Sequence, residues 1–274
     1  MATETLRILA DHLGLTLTLV ATSEASGFPA LLLESGNRHW LWQATSTAAQ
    51  RLAYDAGIGK TAAPDTLVLP RADLLVAAGV TVDVQWSADG ATNWTSVGAP
   101  FPKALASGDL MGPSGQDWAA EWTAVAKRAW SIYLTGATRA PVIGGGWYLG
   151  PRTLCPTDPV YGRVLGVARP HRGEDLEAGW PAMSEANAEL LAAALGRVTP
   201  AWPAEGPVET VAGQVIGGRV HYLYHPTGLP FRRSASPAAW LAQVVCLTPD
   251  RALTESLAPN LERGPTTVRW RRMV

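Results

Sequence analysis

The fold is decided in Val80–Val97, VTVDVQWSADGATNWTSV. Val80, Val82, Val84 and Trp86 fall on one side of this run, and Thr81, Asp83 and Gln85 on the other. That is the period-two pattern of a half-buried strand, and it is rich in β-branched residues. Ser87-Ala88-Asp89-Gly90 follows, where Asp-Gly supplies residues that tolerate positive φ in a tight turn. Trp94 and Val97 then resume the apolar positions on a second, shorter strand. The pattern predicts a β-hairpin.

Composition agrees with a β-rich globular chain. In 274 residues, 47% are hydrophobic and only 16% charged, and 27 glycines and 21 prolines punctuate many turns. A net charge of -1 gives no electrostatic basis for nucleic acid or an anionic membrane as partner. No apolar run approaches the ~20 residues needed to span a bilayer. The opening MATETLRILADHLG has neither a basic start nor an uninterrupted apolar segment, so no secretory signal is expected. Cys155 and Cys246 are too few for a disulfide framework and are expected as reduced, buried thiols. The 12 tryptophans suit sugar-stacking surfaces, subunit contacts or a large core, and the number alone does not choose.

Outward from the hairpin, residues 1–14 read as a helical or extended lead-in, with Leu6, Leu9 and Leu13 at helical spacing. Strands are predicted over Thr16–Val20 and Gln50–Asp55, on a stretch bearing Trp40 and Trp42, and near Leu67 and Leu69; a loop is predicted over Asp73–Gly79. Residues 98–115 are expected as a proline- and glycine-rich loop. Trp118 and Trp122 stand at helical spacing or on the rim of a binding surface. Gly144–Gly146 predicts a bulge before Trp147, and the first domain ends near Arg152. Beyond it, Ser184–Leu195 predicts a long helix with Ser184 as N-cap and Gly196 as its stop. Strands are predicted over Val208–Val215, Arg219–Tyr224, Leu241–Leu247 and Thr266–Arg271. This organisation predicts a mainly β chain, with one domain over 1–152 and a smaller α+β domain with one long helix over 153–274.

Five matches in order then carry a resemblance. Ser23–Ala30 (SEASGFPA), Trp40, LAYDAG ending at Gly57, SADG at Ser87–Gly90 and AKRAWSIYL at Ala126–Leu134 together resemble discoidin-type domains (factor 5/8 type C). The resemblance implies that residues 1–152 are a β-sandwich jelly roll of the galactose-binding-like kind. Leu33-Glu34-Ser35-Gly36-Asn37 departs from the family's Leu-Asp-Gly-Asn, so no structural calcium site carries over. Joined to the second domain, the segments Ile8–Leu13, Leu69–Gly79 and Ile143–Arg152 are similar to tail-tip and distal-tail proteins of long-tailed bacteriophages. That likeness implies a structural component of a tail tip or baseplate, assembled in the host cytoplasm and residing in the virion. Its partners would be other tail proteins, copies of itself in a symmetric ring and a host surface glycan. The alternative is a carbohydrate-binding adhesin outside any tail scaffold.

No constellation argues for an enzyme, and neither a cofactor nor a metal is expected. Gly57-Ile58-Gly59-Lys60-Thr61 lacks the first glycine of a phosphate loop, which Tyr54 replaces, and Pro64 forbids the helix that should follow. His221 and His225 share a strand face, but nothing nearby completes a ligand set. Glu174, Asp175 and Glu177 read as a solvated polar turn, since glycosidase carboxyls must face each other across a cleft. No G-x-S-x-G elbow is present, and His12, His39 and His171 have no recognisable nucleophile partner. Trp86, Trp94 and Trp130 are expected in the core. Trp118, Trp122 and Trp147 lie near loops and are the candidate contacts for a sugar or a neighbouring subunit.

Overall fold

The computed structural model describes residues 5–34, 38–90, 92–111, 115–156, 161–165, 175–180, 183–184, 186–187, 189–190, 209–211, 214–216, 222–226, 240–246, 262–263 and 266–272. In chain order these hold β1 (Arg7–Leu9), β2 (Leu19–Ala21), β3 (Leu41–Gln43), β4 (Gln50–Asp55), β5 (Thr66–Leu69), helix α1 (Ala72–Ala77), β6 (Thr81–Ser87) and β7 (Trp94–Ser96). There follow β8 (Lys103–Ala104), β9 (Trp118–Glu121), β10 (Ala129–Thr135), β11 (Val142–Gly144) and β12 (Tyr148–Gly150). The chain is mainly β, and every strand pairing among the described residues is antiparallel.

Two compact units divide it: Asp11–Pro151 with Gly206–Val220 form one, and Met1–Ala10, Arg152–Glu205 and His221–Val274 the other, so one break falls beside Arg152 while 1–10 and 206–220 each group with the opposite unit. The first unit is a β-sandwich. One layer is the sheet β2-β4-β10-β6-β7, with β8 also beside β6; the other layer comprises β12-β5-β9 and the pair β3–β11. Alternation delivers Leu52 and Tyr54 from β4, Ile132 and Trp130 from β10, and Val82 and Val84 from β6 to one side. They meet Trp42, Leu67, Leu69, Trp118, Ile143 and Leu149 from the facing strands in a single core cluster. Each such side chain contributes roughly 1.5–3 kcal/mol on leaving water, which holds the layers face to face.

Residues 72–77 are a helix and not the expected loop. Arg71 stands at φ 55°, an uncommon left-handed position, its N–H donating to Asp117 Oδ1 at 3.3 Å. Ala72 and Leu75, three apart, are then buried on one face.

The predicted hairpin exists with a longer connection. Ser87 pairs with Trp94 and Gln85 with Ser96, leaving 88–93 as the loop. Asp89 organises it, accepting from Ser87 Oγ at 2.6 Å, Thr92 Oγ1 at 2.9 Å and Asn93 Nδ2 at 2.6 Å. These bonds, those from Ser87 and Thr92 foremost, hold the Asp89 carboxyl far below the usual carboxylate range. Gly90 at φ 97° closes the turn, and a Cβ there would stand 2.5 Å from the Arg128 guanidinium. That arginine donates to Asp89 O at 2.6 Å and grips Asp55 with Nε at 2.9 Å and NH2 at 2.7 Å. Ser-x-Asp-Gly and the arginine of Ala126–Leu134 are therefore one structural device.

The second unit carries β13 (Thr153–Leu154), β14 (Tyr161–Leu165), β15 (Asp175–Trp180), β16 (Met183–Ser184), β19 (Tyr222–His225), β20 (Trp240–Cys246), β21 (Glu262–Arg263) and β22 (Thr266–Arg272). Its principal sheet runs β13-β1-β19-β20-β22-β15-β14, so the opening segment is a strand paired with β13 and β19. The pair β17 (Glu209–Val211) and β18 (Gln214–Ile216) belongs to the sandwich unit's residues. Asp175 and Glu177 lie on β15 and not in a turn; Glu174 is outside the described residues. Within the predicted helix, 186–187 and 189–190 are helical and Ser184 Oγ accepts the Asn187 N–H at 3.4 Å. The remainder of Ser184–Leu195 lies outside the described residues.

Candidate functional site

The outward side of the large sheet is built by the same alternation that fills the core. Register places Ala53, Ser131, Gln85 and Ser96 in one row across four strands. Arg51, Tyr133 and Asp83 form the next row, and Asp55, Ala129, Ser87 and Trp94 the row on the other side. Arg51 reaches across this face. Its guanidinium carbon sits 4.2 Å from the Trp94 ring centroid and 4.6 Å from that of Tyr133, and NH1 donates to Ser131 Oγ at 2.5 Å. That cover accounts for the complete burial of Ser131 at an outward position.

The polar groups of this face are unevenly satisfied. Asp83 accepts from Ser96 Oγ at 2.6 Å and Gln85 Nε2 at 2.7 Å. Arg51 makes no ion pair within 4.0 Å among the described residues, and burial lowers its pKa, partly offset by Tyr133 and Asp83. Gln85 Oε1 is buried with no hydrogen-bond partner among the described residues. Trp94 and Tyr133 are half-buried residues. Trp94, expected in the core, thus lies on the outside.

The expected contact residues are elsewhere. Trp118, Trp122 and Trp147 are 4%, 5% and 0% exposed, so none presents a ring to a sugar or a neighbouring subunit. Trp118 and Trp122 sit at the start of and just past β9, and Phe101 packs edge-on to both at 5.9 and 5.8 Å. Trp130 is in the core as expected, and Trp86 is partly buried against it with Lys127 Nζ 3.9 Å above its ring.

Trp147 belongs to a buried polar cluster that the sequence did not signal. Glu34 Oε2 accepts from His12 Nε2 at 2.8 Å, and Glu34 Oε1 from Tyr54 OH and from Trp147 Nε1 at 3.5 Å. His12 Nδ1 is met by the Leu149 N–H at 3.0 Å, and Trp147 stacks on Tyr54 at 5.7 Å. Burial drives Glu34 upward, but His12 and the donors from His12, Tyr54 and Trp147 more than offset it, so its pKa falls below the ordinary value. Burial first, then the Glu34 charge, raises Tyr54 well above the usual phenol range. A Cβ on Gly14 would lie 1.8 Å from Glu34 Oε2, so only glycine admits the carboxylate. Both carboxylate oxygens are taken up inside the fold, and the cluster clasps the chain entering the sandwich.

A cleft of about 630 Å³ opens between 13–20 and 55–62, with Thr16, Thr18, Asp55, Lys60 and Thr61 among Leu13, Leu17 and Val20. No aromatic side chain lines it. Gly57 and Gly59 have φ 89° and 74°, and Lys60 N–H returns to Gly57 O at 3.2 Å, so the glycine-lysine segment is a turn without a following helix. Among the described residues no three His, Cys, Asp or Glu side chains are grouped to hold a metal. His225 is buried on β19, and His221 is outside the described residues.

No family model matches the chain, and no curated protein matches it. Among solved structures it is similar to a chain assigned as an alpha-L-fucosidase of Bacteroides thetaiotaomicron, at 13% identity and TM-score 0.41, over 54% of this chain and 30% of that one. Chitosan-binding module 1 of a chitosanase/glucanase from Paenibacillus sp. IK-5 matches at 18% identity and TM-score 0.38, over 50% of this chain and 96% of the module. A pectin binding carbohydrate binding module matches at 13% identity and TM-score 0.38, over 51% of this chain and 91% of the module. The chain thus spans under a third of the fucosidase's length.

Proposed function

We propose that this chain is a non-catalytic glycan-binding protein, that its sandwich is a galactose-binding-like jelly roll, and that the outer face of the large sheet takes the sugar. The observation that carries this is the juxtaposition of two half-buried aromatic rings, Trp94 and Tyr133, with Arg51, Gln85 and Asp83 on one rigid sheet. A sugar presents an apolar C–H face and a fringe of hydroxyls, so it needs flat aromatic surface beside mixed donors and acceptors. The cleft supplies donors and acceptors but no ring.

In this reading the module is carried on a phage tail tip or baseplate, among other tail proteins and copies of itself. The likeness of Ile8–Leu13, Leu69–Gly79 and Ile143–Arg152 to segments of tail-tip proteins supports that setting. A glycan array probed with the purified protein is expected to show selective binding; a blank array with folded protein overturns the sugar reading. Mass spectrometry of purified particles is expected to find the chain in tails, and its absence there overturns the setting alone.

A further inference from the structure

Resting on the glycan reading, we infer that the outer sheet face is built for an acidic saccharide, a uronate, with Arg51 as the ligand for its carboxylate. A guanidinium carries five N–H donors in a planar fork suited to two carboxylate oxygens. Here one bond goes to Ser131 Oγ, and no carboxylate stands within ion-pair distance among the described residues. Asp83, the acid in the same row, is already engaged by Ser96 and Gln85. Arg51 is therefore a cation with unused donors on the side chain that crosses the face.

Its position is also fixed in advance. The contacts to Trp94 and Tyr133 at 4.2 and 4.6 Å hold the plane of the group, so little side-chain entropy remains to be lost on binding. Elsewhere on the sheet an arginine with a structural role looks different: Arg128 is saturated by both oxygens of Asp55. A uronate brings a carboxylate for Arg51 and an apolar C–H face for the neighbouring Trp94 and Tyr133; a simple anion brings only the first.

The test compares three oligosaccharides of equal length by calorimetric titration of the intact protein: a uronate, its methyl ester, and a sulfated neutral analogue. The uronate is expected to bind ~10-fold or more tightly than the ester, the scale of hydrogen bonds to a charged group, and the preference should shrink with added salt. Arg51→Gln is expected to lower uronate affinity to that of the ester, and Arg51→Lys to restore little, lacking the planar fork. The acid–ester comparison needs no variant, so a poorly folding substitution does not blunt it. Equal binding of acid and ester overturns the inference while leaving the glycan reading intact, as does tighter binding of the sulfated analogue. No binding of any of the three, beside neutral sugars that do bind, also overturns it. A protein that binds no saccharide at all overturns both.

Discussion

Tyr54→Phe tests the buried clasp. The substitution keeps the ring that stacks on Trp147 at 5.7 Å and removes the hydroxyl that donates to Glu34 Oε1. What remains on that oxygen is the Trp147 N–H at 3.5 Å, a long contact. His12 Nε2 is already taken by the other carboxylate oxygen, at 2.8 Å, so it does not replace the phenol. A hydrogen bond to a charged group contributes ~1.5–3 kcal/mol. Near 2 kcal/mol, and at about 2–4 °C per kcal/mol for a unit of this size, the variant should melt roughly 4–8 °C below the parent in calorimetry. Repeating the change in a Glu34→Gln background should cost less, since the bond is then neutral, and the double-mutant cycle should return a coupling above ~0.5 kcal/mol. Identical melting of Tyr54→Phe and parent, or zero coupling, would refute the clasp.

The same cluster sets two pH limbs. Glu34 has a lowered native pKa, so its contribution is whole above the unfolded value near ~4.3 and is lost as pH falls through the native one; Glu34→Gln should flatten that acid limb in urea titrations. Tyr54 has a raised native pKa, so stability should fall as pH rises past ~10, and Tyr54→Phe should remove that loss. Gly90→Ala forces a side chain to φ 97° and crowds Arg128, and should cost ~1–3 kcal/mol by chemical denaturation. Trp118→Ala and Trp122→Ala should each cost ~3–5 kcal/mol as core truncations, whereas Trp94→Ala, on the outer face, should cost distinctly less by the same measurement.

Period-two alternation made the strands of the large sheet legible, because one face must pack and the other need not: β4, β6 and β10 lie where Leu52, Val84 and Ile132 alternate with polar residues. Faces were harder. Trp118 and Trp122 are four apart, a spacing that serves one face of a helix and equally one face of a strand, and the structure uses the second. Trp94 faces outward because it pairs opposite Ser87 on the outward side of β6, and a two-residue Asp-Gly turn would set it opposite Gln85, on that same side. Trp147 looked loop-borne after three glycines. Those glycines instead admit the backbone to the core: a Cβ on Gly144 would meet the Arg71 side chain at 2.8 Å. The clasp joins His12, Glu34, Tyr54 and Trp147 across long sequence separations, and no local pattern encodes such a meeting. Likewise β1 finds its partners only at β13 and β19.

A saccharide bound on the sheet face that carries Arg51, Trp94 and Tyr133 would shield the two rings from solvent. Hydroxyl-radical footprinting with and without a bound glycan addresses this most directly, since oxidation reads the solvent access of each ring. Saturating glycan is expected to protect Trp94 and Tyr133 and to leave Lys60 and Thr61 of the cleft unchanged. Protection of the cleft with undiminished oxidation of Trp94 and Tyr133 would contradict binding on that face.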